Sequence, residues 1–241
     1  MSRYVLITRH PSDCTELQSL LSPCGITLRP YPVLRLEDVD DTPAWSRVAT
    51  LDSDGIQPTW IVLASPRAPR RFVAACRRHD AAELLSLAAA AVGTSTALAA
   101  EEAGLRVELT GPGTGQGLAA DLLERLEAPA TLVFACGRDR RPELPRALEA
   151  AGHAVVPIEV YRMDPTPPRE LPPLGPSLDA VVLTSPRSAT LYLDGIGGMP
   201  LPCQHWALGP TTQQAAAALG INCLIPPEPS IKSLAEELCK N

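Results

Sequence analysis

The chain has 241 residues, 45% of them hydrophobic and 20% charged, and a net charge of −6. That balance suits a soluble globular protein and excludes disorder and a bundle of membrane spans. The negative charge argues against nucleic acid as a partner of the whole chain, because phosphate binding needs clustered positive charge.

Length alone sits between one large domain and two of roughly 100 to 120 residues. From Met1 the chain runs straight into an apolar strand pattern with no leader before it, so a cytoplasmic protein is expected. The 7 cysteines are scattered without a Cys-x-x-Cys pair. Neither a zinc site nor a disulfide framework is expected, and most are read as buried, reduced fillers.

Tyr4 to Thr8 is a continuous β-rich run of the kind buried on both faces of a parallel sheet. Leu17, Leu20 and Leu21 give helical spacing that stops at Pro23 and Gly25, and Ile26 to Leu28 resumes a strand. Pro30 to Leu36 reads as extended, since proline fixes its own φ and biases its predecessor toward β geometry.

A helix around Trp45 to Leu51 leads to a buried strand, Trp60 to Ala64. Ser65-Pro66 then reads as a helix cap and first helical residue, with residues 67–79 continuing that helix. Ala91 to Gly93 is predicted as a short strand, Thr94 to Ala103 as a helix, Arg106 to Leu109 as a strand and Gly111 to Gly117 as a loop before a helix over Leu118 to Leu126. Leu132 to Ala135 and Leu144 to Ala151 follow as strand and helix, and Pro157 to Arg162 as an extended segment.

The proline-rich stretch from Asp164 to Ser177 reads as a linker or surface loop. Beyond it, Ala180 to Thr184, Gln204 to Leu208 and Asn222 to Ile225 are strands. Ser185-Pro186 caps one helix, Thr211 to Leu219 forms another, and Ser230 to Lys240 closes the chain.

The chain repeats itself. Leu183-Thr184-Ser185-Pro186-Arg187 follows Leu63-Ala64-Ser65-Pro66-Arg67 by 120 positions, and Leu208-Gly209-Pro210-Thr211-Thr212 follows Val92-Gly93-Thr94-Ser95-Thr96 by 116. Pro157 to Arg162 matches Pro30 to Arg35 at an offset of 127. Alternating strands and helices in two copies predict an α/β protein with parallel sheets, in which ligands bind outside the carboxyl ends of the strands.

Every repeated Ser, Thr and Gly falls at such an end. Four strand-to-helix corners, at Ser65, Thr94 to Thr96, Ser185 and Thr211 with Thr212, would present helix N-termini suited to carboxylates or phosphates. As isolated features these are plain helix caps; their recurrence at the rim where ligands bind favours a site. Arg67 to Arg71 and Arg138 to Arg141 are the densest cationic clusters, and Arg77 with Arg78 reads as a solvated helix face.

No other catalytic constellation emerges. His10, His79, His153 and His205 stand in no repeated motif and at no metal-ligand spacing. Gly111-Pro112-Gly113-Thr114-Gly115-Gln116-Gly117 has no following lysine and is not a nucleotide loop. The expected function is therefore to shape and hold a ligand, without a cofactor or metal.

Thr8-Arg9, Ser65 to Arg67, Val92 to Thr96, Val160 to Arg162, Thr184 to Pro186 and Leu208 to Thr212 form an ordered set spanning essentially the whole chain. In order and spacing it resembles uroporphyrinogen-III synthases. The resemblance implies two flavodoxin-like domains, one discontinuous (1–34 and 165–241) and one inserted (37–157), joined by a two-stranded β link (30–36 and 158–164) and with the cleft between them as active site. Two such links imply hinge motion.

It also implies a reaction in which hydroxymethylbilane, a linear tetrapyrrole with eight carboxylates, loses water and closes with ring D inverted. Arg9, Ser65, Pro66, Arg67, Gly93, Thr94, Ser95, Thr96, Arg138, Arg162, Ser185, Pro186, Thr211 and Thr212 are the expected substrate-binding residues. Tyr161, the tyrosine of the Val-Tyr-Arg motif, is the implied proton donor to the leaving hydroxyl. No membrane or nucleic-acid partner is expected, and a monomer is the default. The competing readings are a non-catalytic ligand-binding homologue and, further off, a phosphosugar or nucleotide transferase, for which no metal-binding carboxylate pair or phosphate lysine is found. Two departures are legible: Ala64 stands where the second copy has Thr184, and the loop Gly111 to Gly117 is more glycine-rich than the resemblance leads one to expect.

Overall fold

A computed structural model of the chain describes residues 3–53, 55–126, 129–175 and 177–240. Met1, on which the leader reading rests, and Pro176 of the proline-rich stretch lie outside them.

The chain opens with β1 (Arg3–Ile7), α1 (Thr15–Leu21) and β2 (Ile26–Pro30). It continues through β3 (Leu34–Asp38), α2 (Thr42–Ser53), β4 (Trp60–Leu63), α3 (Pro69–Arg78), β5 (Ala88–Ala91), α4 (Thr94–Glu102) and β6 (Arg106–Thr110). Next come α5 (Gly115–Leu123), β7 (Thr131–Gly137), α6 (Glu143–Ala150) and the long β8 (Ala154–Pro165). The last part holds β9 (Ala180–Leu183), α7 (Pro186–Gly195), β10 (Gln204–Ala207), α8 (Pro210–Ala218), β11 (Cys223–Leu224) and α9 (Ile231–Lys240). Among the described residues no helix is long and apolar enough to cross a membrane.

Two compact units result. Met1–Arg35 with Asp164–Asn241 make a split unit, and Leu36–Met163 make a middle unit. The split unit is built on a five-stranded sheet in the order β11-β10-β9-β1-β2, with parallel pairing throughout. The middle unit carries a six-stranded sheet, β3-β8-β7-β4-β5-β6, parallel from β8 to β6. Its edge strand β3 runs antiparallel to β8: Val39 N–H donates to Val160 O at 3.2 Å and Thr166 N–H to Val33 O at 2.9 Å, partners that climb on one strand as they descend on the other.

The apolar runs of the strands feed both faces of each sheet, with the period of two that a pleated strand imposes. In the middle unit Ile61, Leu63, Val133 and Ala135 pack toward α2 and α3, against Trp45 and Phe72. Val62, Leu132 and Phe134 pack the other way, against Leu118 and Leu122 of α5 and Leu144 and Leu148 of α6. The split unit repeats the plan. Val5, Ile7 and Val182 face Leu17, Leu21, Leu234 and Leu238, while Leu6, Val181 and Leu183 face Ala189, Tyr192 and Ala216.

Several boundaries differ from the sequence reading. The helix after β4 starts at Pro69, not at Ser65-Pro66, and Ala68 is its cap. A helix begun at Pro66 would need its first backbone bond from position 69 to the Ser65 carbonyl, and proline has no N–H to give. Ser65 to Ala68 instead form a turn closed by Ala68 N–H to Ser65 O at 3.1 Å, and the first helical bond runs from Phe72 to Ala68 at 2.9 Å. In the second copy the corresponding residue is Ala189, whose N–H reaches Ser185 O at 3.1 Å, and Ser185 caps α7 with Pro186 behind it.

The strand expected over Ala91 to Gly93 is Ala88–Ala91, α5 begins inside the glycine-rich loop, and β11 is only two residues long. The cysteine reading is also corrected. Cys24 and Cys239 form a disulfide across a sequence separation of 215, while Cys14, Cys76, Cys136 and Cys223 are buried free thiols.

That bridge ties the segment before β2 to the end of α9, the two chain portions of the split unit. Closing so long a loop restricts the unfolded chain, so opening the bridge in the Cys24→Ser/Cys239→Ser variant is expected to cost ~2–5 kcal/mol. Urea unfolding of oxidised protein and variant measures it, and equal midpoints would refute it.

A buried polar set in the split unit sets a pH dependence. His205 Nδ1 donates to Cys203 O at 3.0 Å, so Nε2 is left to accept from Tyr192 Oη at 3.0 Å. Burial lowers the His205 pKa from its ordinary 6.5. Below that value the unfolded chain binds the proton more readily than the folded one. Stability is therefore complete above about pH 6.5 and falls as the pH is lowered through and beneath it. The expected outcome is a urea midpoint that drops between pH 7.5 and 5.5 and a shallower drop in His205→Gln.

Candidate active site

A cavity of about 600 Å³ opens in the middle unit at the carboxyl ends of β4, β5 and β7, beside Tyr161 within β8. Strand order reverses here, since β5 and β6 follow β4 on one side while β7 and β8 lie on the other. Parallel sheets bind ligands at such a crevice because neighbouring crossover connections diverge and leave the strand ends uncovered. Phe134 and Leu144 lie at its base, and Ser65, Thr114, Gln116, Asp139, Arg140, Arg141, Glu143 and Tyr161 bring polar groups to it.

Tyr161 owes its position to Gly137. A Cβ on Gly137 would lie 2.6 Å from ring atoms of Tyr161 and 2.9 Å from its hydroxyl, so only glycine lets the ring rest there. The neighbouring Arg138 N–H fixes the backbone by donating to Tyr161 O at 3.0 Å.

The loop before α5 is shaped by Gly113, whose φ of +96 suits no side chain, and by Thr114, whose hydroxyl caps the helix by accepting from Gly117 N–H at 3.1 Å. Pro112 to Gln116 thus serve as a helix start, which the low helical propensity of three glycines concealed. The helix N-terminus points its unpaired N–H groups to the cavity's edge, where they favour an anion.

Charge at the cavity is partly balanced. Glu159 accepts from Arg138 Nε at 3.1 Å and Arg140 Nη1 at 2.9 Å, and its own N–H donates to Asp41 Oδ2 at 3.1 Å. Arg138 is thereby engaged with Glu159 outside the cavity lining, whereas Arg140 and Arg141 line it. Cys136 also borders the cavity, but burial pushes its thiol up to about 12, so it is no nucleophile at neutral pH.

Of the residues expected from sequence, the structure brings Ser65 and Tyr161 to this cavity. Ser65 comes from a turn, not from a helix N-terminus, and with Pro66 loses the capping role assigned to it. Gly93 caps α4 and backs onto Gly113, with Thr94 and Ser95 exposed and Thr96 buried behind them. The Thr96 hydroxyl has no hydrogen-bond partner among the described residues. Arg67 and Arg162 are partly buried beyond the lining.

Arg9, Ser185, Pro186, Thr211 and Thr212 belong to the split unit, at the ends of β1, β9 and β10. Gln116, Thr114 and Arg141 were not singled out from the sequence. The runs 111–117 and 138–141, both noted in the sequence, were the available signals. Among the described residues no group of three His, Cys, Asp or Glu side chains could hold a metal ion.

Replacing Gly137 by alanine is expected to displace the Tyr161 ring at a cost of ~1–3 kcal/mol, the range for overpacking a close contact. Ring resonances of Tyr161 assigned by NMR would shift in Gly137→Ala; unmoved resonances would contradict the contact.

Comparison with known proteins follows the same lines. The family model described as "Uroporphyrinogen-III synthase HemD" matches residues 15–236. A search of curated proteins finds no significant match. Among solved structures, uroporphyrinogen-III synthetase from Helicobacter pylori is 15% identical, with a TM-score of 0.66 over 100% of this chain and 99% of that one. A mutant uroporphyrinogen III synthase from Thermus thermophilus is 18% identical, with a TM-score of 0.61 over 99% and 98%. These likenesses establish the two-domain α/β fold, and the family match over most of the length establishes membership: the chain belongs to the uroporphyrinogen-III synthase HemD family.

Proposed function

We propose that the protein is a uroporphyrinogen-III synthase, which cyclises hydroxymethylbilane with inversion of ring D and loss of water. The observation that carries this reading is the family match across residues 15–236. The reading makes it an enzyme of tetrapyrrole synthesis and, more narrowly, a hydro-lyase acting as a monomer in the cytoplasm. That compartment keeps most thiols reduced, so the Cys24–Cys239 pair would be open to reduction there.

The chemistry asks little of the protein. As the terminal C–O bond breaks, a proton joins the departing hydroxide to give water, and electrons from the pyrrole nitrogen form an azafulvene. The far terminal ring attacks through the α-carbon that already carries its methylene bridge, and that carbon's bond to the bridge then breaks. The freed methylene closes onto the ring's other α-carbon, and a proton is lost there, which leaves ring D inverted. Such a substrate reacts unaided, so the protein contributes orientation and exclusion of the uninverted closure.

A phenol keeps its proton at neutral pH and can donate it to a leaving group. Tyr161, which lines the cavity with its ring against Gly137, fits that role. Arg140 and Arg141 line the same cavity, with Asp139 and Glu143 beside them, and the arginines can meet carboxylate arms of the substrate.

Incubation with freshly made hydroxymethylbilane, followed by separation of the isomers, tests the function. The III isomer is expected well above the spontaneous background, and only isomer I would overturn the reading. Tyr161→Phe keeps the ring but removes the proton, and kcat is expected to fall ~100-fold, at the lower end of general-acid contributions. A wild-type kcat in that variant would remove Tyr161 from the acid role.

A further inference from the structure

The aim of the Tyr161 phenol depends on a fault in the ladder between β7 and β8. Cys136 stands opposite Glu159, and the next pair is Gly137 with Tyr161, so Val160 is an extra residue. A bulge leaves the regular ladder locally disrupted. Contacts outside the ladder then decide whether β8 keeps the bulge or slips into step, and a slip of one residue exchanges the faces of its side chains.

Such contacts meet on both sides of Val160. On one side the Glu159 carboxylate accepts from Arg138 Nε at 3.1 Å and from Arg140 Nη1 at 2.9 Å, while its N–H donates to Asp41 Oδ2 at 3.1 Å. On the other side Tyr161 O accepts from Arg138 N–H at 3.0 Å. Arg138 thus grips β8 twice, by its side chain before the bulge and by its main chain after it. Asp41 is a fixed post, because its second carboxylate oxygen accepts from Ala44 N–H at 3.2 Å in the first turn of α2. Val160 itself is buried, and its carbonyl accepts from Val39 N–H at 3.2 Å.

An ion pair in open solvent holds little. Here Glu159 is 23% exposed and shared by two guanidinium groups, and charge-assisted bonds from a planar fork restrict geometry as well as adding energy. Arg138 is half-exposed and stands outside the cavity lining, which holds Asp139, Arg140 and Arg141. We propose that Arg138 and Glu159 are positioning residues, a staple across the bulge at Val160 that aims Tyr161 at the cavity, and that Arg138 is not a ligand of the substrate. The inference rests on the proposed synthase reaction with Tyr161 as its proton donor.

A staple of this kind works only through the phenol, and the test uses the full chain to separate that role from others. Glu159→Gln keeps the size of the side chain and loses its charge, and Arg138→Met keeps the length and loses the donors; both leave the main-chain N–H groups in place. With hydroxymethylbilane, each variant is expected to lower kcat about tenfold, the scale of a displaced catalytic group, and to leave KM within about twofold of the wild type. Combined with Tyr161→Phe, Glu159→Gln is expected to lower kcat no further, since the group it aims is gone. A raised KM with unchanged kcat in Arg138→Met would mark Arg138 as a ligand and overturn the staple. So would a wild-type kcat in both variants, or an undiminished fall from Glu159→Gln in the Tyr161→Phe background.

Ring resonances of Tyr161 supply a readout that needs no turnover. They are expected to shift in both variants, with circular dichroism verifying that each is folded, and unmoved resonances overturn the staple. A wild type that makes only isomer I refutes the reaction. The resonances then decide the staple alone, shifted ones supporting it and unmoved ones overturning it.

Discussion

Pairing of β4 with β7 in one sheet and of β1 with β9 in the other decides where everything functional can lie. Each pair joins strands that are distant in sequence, and on either side of it the chain moves outward in opposite directions. Right-handed crossovers then diverge from that line and leave an opening at the carboxyl ends. Ser65, Gly137 and Tyr161 converge only because registers such as Leu63 opposite Ala135 and Gly137 opposite Tyr161 bring the ends of β4 and β7 level with the interior of the longer β8.

Buried polar groups in the two units come and go as sets. Tyr192 and His205 satisfy each other in the split unit, and the offsets of 120 and 116 place Phe72 and Ala89 at those positions in the middle unit. The cluster in which Thr8 Oγ1 and Thr184 N–H both meet Ser188 Oγ at 3.2 Å gives way likewise to Ala135, Ala64 and Ala68 at the matching registers and offset. The reason is energetic. A buried donor or acceptor stripped of its partner costs about 1–3 kcal/mol, whereas removal of both partners costs little. A lone hydroxyl kept at Ala68 or Ala135, both fully buried, would have lost the side-chain partners it has in the split unit.

Much of the fold was legible because its signals are local. Strands buried on both faces read as unbroken apolar runs, and the glycines after α1, α4 and α8, with φ of +68 at Gly25, +86 at Gly104 and +78 at Gly220, mark helix ends by a conformation other residues avoid. What escaped depends on competition or on distance. Pro66 and Pro69 are each good first helical residues, and only the absent N–H at 69 decides between them. The start of α5 was hidden because glycine penalises a helix that Thr114 nonetheless caps. The Cys24–Cys239 bridge spans 215 positions and follows no spacing rule. Arg138 looked like an anion ligand, but its Glu159 partner lies 21 positions away on the adjacent strand, where no linear pattern reveals it.

The placement of Tyr161 depends on a single irregularity. Along β7 and β8 the register advances one for one to Cys136 opposite Glu159, then jumps so that Gly137 faces Tyr161. Val160 is the extra residue, and it is buried in the core with 2% exposure. Without the jump, side chains on β8 would keep strict alternation against β7, Val160 would oppose Gly137, and the phenol would meet Arg138. A bulge re-aims one side chain while leaving the rest of the ladder intact. Here it sets the aromatic ring against the one residue of β7 that has no side chain to obstruct it, at the strand end where the sheet is open.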